Sequence, residues 1–338
     1  MSTDHKLRIM VLMNETLVPP DTIEGLSEKD IAPWKTEWDV LSTLRSMGHE
    51  VIPAGFYDDL GVISRVMKEH KPHIAFNLAE DFDGNPLYDQ HVVSYLELKK
   101  QKYTGCNPRG LTLAHDKALT KKILSYHRVL VPGFAHFPRG RKVATPKLKY
   151  PLFVKSGVVE GSVGISQASI VRDFEHLKER VEFIHRQTES DAIAEEYIEG
   201  REIYVGVIGN QLLRAYTPWE LEMTNLANGA ANIATDKLKW DLNYQKKVGL
   251  VTKPADLSPE LVQRFERVSK RIYHHLHLSG YARLDYRLTA EGQLFLLEAN
   301  PNPQIASGED FADSAAHCGV SYAELLQKIL SLGLHYNP

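Results

Sequence analysis

The sequence predicts a chain of mixed class, a parallel α/β layer followed by two α+β lobes. Three observations carry that reading. Short apolar strands alternate with helical stretches from Leu7 to Gly105, a glycine-rich loop lies between strands in the middle of the chain, and a hairpin rich in oxygen ligands spans Gly280–Pro303.

The elements follow in order. Strands at Leu7–Met13, Val51–Ala54, His73–Leu78 and Tyr103–Gly105 alternate with helices near Trp34–Met47, Leu60–His70 and Tyr88–Leu98, the rhythm of a parallel sheet. From Leu113 to about Gln187 the pattern is a helix, a strand at Pro151–Val154, the glycine-rich loop, a strand at Gly164–Val171 and a charged helix at Asp173–His185. Strands at Ala192–Tyr197 and Glu202–Ile208 read as a pair joined at Glu199-Gly200. A helix capped by Ser258 with Pro259 in its first turn carries Leu261, Phe265, Val268, Ile272 and Leu276 on one face. The Ser321/Glu324 capping box opens another before Leu325, Leu326 and Ile329. These units place domains at 1–112, 113–190 and 191–338.

Size and charge bound the function. A chain of 338 residues holds two or three domains, and a net charge of -3 with 25% charged residues argues against a nucleic-acid surface or a basic membrane-binding face. Cys106 and Cys318 stand far apart without zinc or disulfide spacing. The apolar run Ile9–Met13 is too short for a signal-peptide core or a membrane span, so the expectation is a cytoplasmic protein. Met13-Asn14-Glu15-Thr16 follows the first strand, where neither GxGxxG nor GxxxxGK[ST] occurs.

The hairpin carries the chemistry. Strand alternation puts Arg283 and Asp285 on one face of Tyr281–Leu288 and Glu298 and Asn300 on one face of Gln293–Asn300, with Thr289–Gly292 as the turn. Folding brings Asp285 nearly opposite Glu298, the register depending on the turn type. Three hard oxygen ligands, with no Cys or His among them, suit magnesium or manganese rather than zinc. The alternative is a hairpin whose acids are solvated or paired with Arg283 and Arg287. Glu298 favours the cation, because it ends the apolar run Leu294–Leu297, where an unpaired carboxylate is costly to bury.

Two further segments suit a nucleotide. In VKSGVVEGSVGIS, Lys155 ends a strand and Gly157, Gly161 and Gly164 let backbone amides approach an anion; a structural hairpin is the alternative. In AIAEEYIEGREI, Glu195, Glu196 and Tyr197 offer acceptors for an adenine amino group and Glu202 for ribose hydroxyls, against the alternative of a charged edge hairpin.

Taken in order, HDKALTKK, YPLFVK, EGSVGIS, AEEYIEGREI, GYARLDYRL, LEANPNP and CGVSYAELL resemble the ATP-grasp superfamily and, within it, the D-alanine–D-alanine ligase family, from roughly His73 to Leu330. The resemblance implies a pre-ATP-grasp α/β domain and two lobes gripping ATP. Lys117 and Lys155 would contact the phosphates, Glu195–Ile198 would line the adenine pocket (Glu195, Glu196, Tyr197 and Ile198), and Glu202 would hold the ribose. Asp285, Glu298 and Asn300 would bind two magnesium ions. Arg283 would steady an oxyanion, Lys239 would reach the terminal phosphate from a lid, and Ser162 would join the catalytic set. The implied reaction is amide formation between small-molecule carboxylate and amine substrates through an acyl phosphate, in a homodimer.

Substrate positions depart from the family pattern. MNETLVPP replaces a glycine-rich turn that carries an amine-binding Glu, leaving Glu15 nearby, and Gly161 replaces one of two serines, leaving Ser162. Trp240 stands for a tyrosine, and an indole donates but does not accept. NLAEDFDGNPLYDQ is richer in acid than the usual stretch, and Glu309 beside Asp310 replaces a carboxylate-binding serine. With Glu80, Asp81 and Asp83 these acids predict an amine substrate other than D-alanine, basic or carboxylate-blocked; the alternative is that they pair on the surface. Two rival functions are a true D-alanine–D-alanine ligase and a non-catalytic ATP-binding regulator.

Overall fold

The structure, a computed structural model, describes residues 6–158, 164–226, 233, 235, 237–238 and 241–338. Strands β1 (Arg8–Asn14), β2 (Glu50–Phe56) and β3 (Ile74–Asn77) form a parallel sheet in the order β2-β1-β3. Around it lie helices α1 (Glu28–Ile31), α2 (Lys35–Ser46), α3 (Leu60–His70) and α4 (Asp89–Leu98). The predicted strand at Tyr103–Gly105 reduces to one parallel bridge between Tyr103 and Ala75. Ile9–Met13 is fully buried because both sheet faces are covered. Met10 and Leu12 join one core with Ile63, Val92 and Leu96; Ile9, Val11 and Met13 join another with Val40, Leu41 and Leu44.

Helices α5 (Pro108–His115) and α6 (Lys117–Tyr126) lead into a second sheet. Its strands are β4 (Phe134–Phe137), β5 (Leu152–Ser156), β6 (Ile170–Val171) and β7 (Ala192–Glu196), in the antiparallel order β4-β7-β5-β6. Helix α7 (Phe174–Gln187) covers it through Leu177, Val181 and Ile184. Of the strand predicted at Gly164–Val171, only Ile170–Val171 pairs. Ser166 and Ser169 exchange side-chain and backbone hydrogen bonds around a 3-10 turn at Gln167–Ser169, a local alternative to the ladder.

The third sheet is antiparallel, built from β8 (Arg201–Ile208), β9 (Arg214–Ala215), β10 (Trp219–Met223), β11 (Leu250–Pro254), β12 (Tyr281–Leu288) and β13 (Leu294–Pro301). Its order is β11-β10-β8-β12-β13, with β9 on β8. Helices α8 (Leu242–Val248), α9 (Pro259–His275), α10 (Asp310–His317) and α11 (Tyr322–His335) complete the chain. As predicted, Ser258 caps α9, which buries Phe265 and Ile272, and the Ser321/Glu324 capping box opens α11.

The segments Ala192–Tyr197 and Glu202–Ile208 do not form the predicted pair. β7 lies between β4 and β5, and β8 between β10 and β12, so each finds longer-range partners and the chain changes sheets across Tyr197–Gly200. Strands β4, β9, β10 and β11 were not foreseen. No helix among the described residues is long and apolar enough to cross a membrane.

Candidate active site

The hairpin register places Asp285 directly opposite Glu298 and Arg283 opposite Asn300, with an irregularity between Asp285 and Tyr286. Arg283 and Asp285, two residues apart on one face, form a bidentate pair: Nε to Oδ1 at 2.8 Å and Nη2 to Oδ2 at 2.9 Å. Asn300 Nδ2 donates to Asp285 Oδ2 at 2.9 Å, and the guanidinium lies 4.5 Å from the centre of the Tyr204 ring. Burial raises the Asp285 carboxyl; Arg283 opposes this, and the facing Glu298 adds to it.

Three lysines meet Glu298 and its surroundings. Asp116 caps α6, accepting from the Leu119 amide at 2.8 Å, and so fixes Lys117 at the start of the helix. Lys117 Nζ lies 3.9 Å and Lys155 Nζ 3.7 Å from Glu298 Oε2. One helical turn after Lys117, Lys121 donates to the Leu297 carbonyl at 3.0 Å. Glu195 Oε1 stands between Lys121 Nζ at 3.2 Å and Lys155 Nζ at 3.4 Å. Burial would raise the Glu298 carboxyl, but Lys155 and Lys117 outweigh it and hold the group well below the usual range. Burial pulls Lys121 down to about 8, with Glu195 opposing. For Lys155 the balance reverses: burial lowers it, yet Glu195 and Glu298 raise it overall.

The other predicted residues divide. Glu202 is engaged by Arg287 Nη2 at 2.8 Å and by the Tyr204 hydroxyl at 2.8 Å. The Glu195 side chain faces the lysines, and Glu196 Oε1 accepts from the Lys149 amide at 2.9 Å. Tyr197 and Ile198 are half-buried where the chain leaves β7. Glu309, half-buried, occupies the N-cap position of α10 without capping it. Burial and then Asp310 raise its carboxyl, while Lys35 and Arg283 act oppositely, so Glu309 and Asp310 lie within electrostatic reach of Arg283. Glu15 is exposed in the 3-10 turn after β1, and Glu80 is exposed in the loop after β3. Gly161, Ser162, Lys239 and Trp240 lie outside the described residues. Sequence reasoning missed Lys121, although its spacing of four from Lys117 placed it on the same helical face.

No group of three or more His, Cys, Asp or Glu that could hold a metal occurs among the described residues. The donor set at the hairpin is two carboxylates and an amide. It fits a hard divalent cation: facing carboxylates repel each other, and turning the Asn300 amide over presents its oxygen in place of Nδ2.

Residues 133–331 match the family model described as "D-ala D-ala ligase C-terminus". The chain belongs to the D-alanine–D-alanine ligase family. It is 30% identical over 301 residues to the uncharacterized protein y4sG of Sinorhizobium fredii (strain NBRC 101917 / NGR234), covering 87% of this chain and 85% of that protein. To the D-alanine–D-alanine ligase of Nitratidesulfovibrio vulgaris (strain DP4) it is 30% identical over 312 residues, 89% of this chain and 95% of that one. In structure it is similar to the D-alanine–D-alanine ligase from Bacillus anthracis complexed with ATP, with a TM-score of 0.74, 22% identity and 97% of each chain covered. The VanG D-Ala:D-Ser ligase from Enterococcus faecalis matches with a TM-score of 0.70 at 19% identity, over 97% of this chain and 100% of that one. The ATP-grasp architecture of D-alanine–D-alanine ligases therefore holds for this chain, as the sequence motifs implied.

Proposed function

We propose that this D-alanine–D-alanine ligase family member is an ATP-dependent carboxylate–amine ligase whose amine substrate is not D-alanine. The observation that carries the ligase reading is the convergence of Lys117 and Lys155 on Glu298, across the ladder from Asp285. Lys117, Lys121 and Lys155, all buried, face buried Glu195 and part-exposed Glu298, an excess of positive charge that a polyphosphate would neutralise.

In this reading Lys117 and Lys155 hold the phosphates, while Tyr197 and Ile198 border the adenine with the backbone of Glu195 and Glu196. Glu202, held by Arg287, presents its carboxylate to the ribose. Asp285, Glu298 and Asn300 would hold magnesium, which would neutralise phosphate charge. The substrate carboxylate attacks the γ-phosphorus in line, ADP departs, and the acyl phosphate is then attacked by the amine. The nitrogen loses a proton, phosphate leaves, and an amide remains. Arg283, oriented by its bidentate bond to Asp285, is positioned to stabilise the oxyanion of the second step. Positioning and charge neutralisation dominate such chemistry, which needs no covalent nucleophile.

Glu309 and Asp310 support the substrate reading. Both act electrostatically on Arg283, and a pair of acids there disfavours an amine substrate carrying a free carboxylate. The test is ADP and phosphate release across a panel of amino acids, amino acid amides and diamines. The expected result is turnover with a basic or carboxylate-blocked amine. Turnover with D-alanine alone would overturn the substrate reading, and ATP binding without hydrolysis across the panel would overturn the ligase reading.

A further inference from the structure

Both ends of the glycine-rich segment are tied to helix α7. On β5 the side chains of Leu152 and Val154 pack with Leu177, Val181 and Ile184 of α7, and strand alternation continues that face to Ser156, while Lys155 turns the other way towards Glu195 and Glu298. Ser156 is buried; its hydroxyl accepts from the Val158 amide at 3.2 Å and meets Ser190 Oγ at 2.7 Å. Thr188, the C-cap of α7, donates its one hydroxyl proton to the Ile184 carbonyl at 2.9 Å and so accepts from Ser190 at 2.8 Å. Ser190 has the Asp191 carbonyl as a second acceptor at 3.1 Å, and with its proton directed to either it accepts from Ser156. The hydroxyls therefore run in one order, from the Val158 amide through Ser156, Ser190 and Thr188 to α7. Beside them the Gly157 amide donates to the Asp191 carbonyl at 2.8 Å, and the Gly157 carbonyl accepts from the Lys117 amide at 3.0 Å. Gly157 thus joins the strand end that carries Lys155 to the helix start that carries Lys117. At the other end Arg180, buried on α7, donates through Nη2 to the Gly164 carbonyl and to Ser169 Oγ at 2.8 Å. Among the described residues its Nε has no acceptor, and burial is the cause that lowers the guanidinium. A carbon added at Gly164 would lie 3.5 Å from Ile184 Cδ1, so that backbone sits directly on the helix.

We propose that Ser190 and Arg180 are positioning residues for the nucleotide: α7 fixes the two ends of the glycine-rich segment and, through Gly157, holds Lys117 and Lys155 at the spacing that a polyphosphate bridges. This rests on the ligase reading above. Asp191 secures the same seat from β4, its carboxylate accepting from the Arg139 amide at 2.8 Å and lying 3.0 Å from His136 Nε2. Among the described residues neither the Ser190 nor the Arg180 side chain bonds to Lys117, Lys155 or the hairpin acids, so their effect passes through the backbone. Arg283, Glu309 and Asp310, which face the amine in that reading, lie on β12 and at the start of α10 and take no part in these bonds. Loss of the seat therefore weakens nucleotide binding and spares the amine.

Four variants of the full-length protein test the proposal. Ser190→Ala removes the middle hydroxyl, Ser190→Thr keeps it, Arg180→Met removes the guanidinium, and Leu177→Val loosens the packing of α7 without touching either end of the segment. Should Arg180→Met fail to fold, Arg180→Gln, shorter but still polar, takes its place. Calorimetric titration with magnesium ATP should show binding at least about fivefold weaker in Ser190→Ala and Arg180→Met, and within about twofold of the wild type in Ser190→Thr and Leu177→Val. In phosphate-release assays the KM of ATP should follow these values, while the KM of the best amine of the panel stays within about twofold. Hydrogen-exchange mass spectrometry without nucleotide should show the Lys117 and Val158 amides exchanging at least about tenfold faster in Ser190→Ala and unchanged in Leu177→Val. Wild-type ATP affinity in Ser190→Ala or in the Arg180 variant, an equal loss in Leu177→Val, or unchanged exchange at Lys117 and Val158 would overturn the proposal. A wild type that binds ATP but forms no ADP with any substrate would defeat the ligase reading, and the titrations would still decide the roles of Ser190 and Arg180. A wild type that binds no ATP would overturn both.

Discussion

Glu195 is the residue whose neutralisation most directly probes the charge balance of the lysine cluster. It is 2% exposed, and its partners Lys121 and Lys155 stand at 3.2 and 3.4 Å, Lys121 itself being 1% exposed. Glu195→Gln leaves Lys121 with the Leu297 carbonyl and Lys155 with Glu298 at 3.7 Å. Breaking a buried ion pair by removing one partner costs about 3–5 kcal/mol. Because Gln still accepts a hydrogen bond and Lys155 keeps Glu298, the lower end applies. A loss of about 3 kcal/mol lowers the melting midpoint by roughly 4 °C for a chain of this length.

The pH dependence of that loss follows from Lys121. Its folded-state value is already lowered from 10.5 to about 8, and without Glu195 it falls further. A lowered lysine destabilises the fold while the unfolded chain holds the proton more tightly. The Lys121 share of the loss is therefore full at low pH and disappears as pH rises above about 8, where the wild-type lysine has also released its proton. Urea and thermal melts at pH 7 and pH 9 measure this, and adding Lys121→Met to Glu195→Gln should restore at least about 1 kcal/mol. A loss below about 1 kcal/mol, or a double variant no more stable than the single one, would refute the reasoning.

Two further outcomes are expected. For Glu37 the folded-state value of about 7 lies above 4.5, so the unfolded chain releases its proton first and the wild type loses stability as pH rises from 4.5 to 7. Glu37→Gln does not titrate, and should match the wild type near pH 4 but exceed it above pH 7 by no more than about 3 kcal/mol, read from urea melts; parallel profiles would contradict this. Gly280 has φ +70, and a Cβ there would lie 2.5 Å from the Gly105 carbonyl oxygen, a backbone atom that cannot swing aside. Gly280→Ala should cost more than about 2 kcal/mol in the same melts, whereas Gly292→Ala, with φ +75 and nothing within 4 Å of the added carbon, should cost about 1 kcal/mol.

The hairpin was legible because its chemistry and its periodicity coincide: alternation alone put Arg283 and Asp285 on one face, and a four-residue turn brought Asp285 to within about a residue of Glu298, while the irregularity between Asp285 and Tyr286 sets the register that places them opposite each other. What alternation could not show is that Arg283 grips Asp285 itself, since neighbours on one strand face read alike whether paired or pointing apart. β7 and β8 were misread as a pair because a short polar link looks the same at a hairpin as at a change of sheet; long-range pairing decided it. Glu37 gave no mark in the sequence. A glutamate in the first turn of a helix is ordinary on a surface, and only tertiary packing buries this one.

ATP titration calorimetry in magnesium and in a chelator, on the wild type and on the Asp285→Asn, Glu298→Gln double variant, tests the metal–nucleotide site most directly. Magnesium should tighten ATP binding to the wild type at least about tenfold, and the double variant should lose that gain. An equal magnesium effect in both proteins would contradict the assignment of the β12–β13 hairpin as the site that holds the cation of a nucleotide.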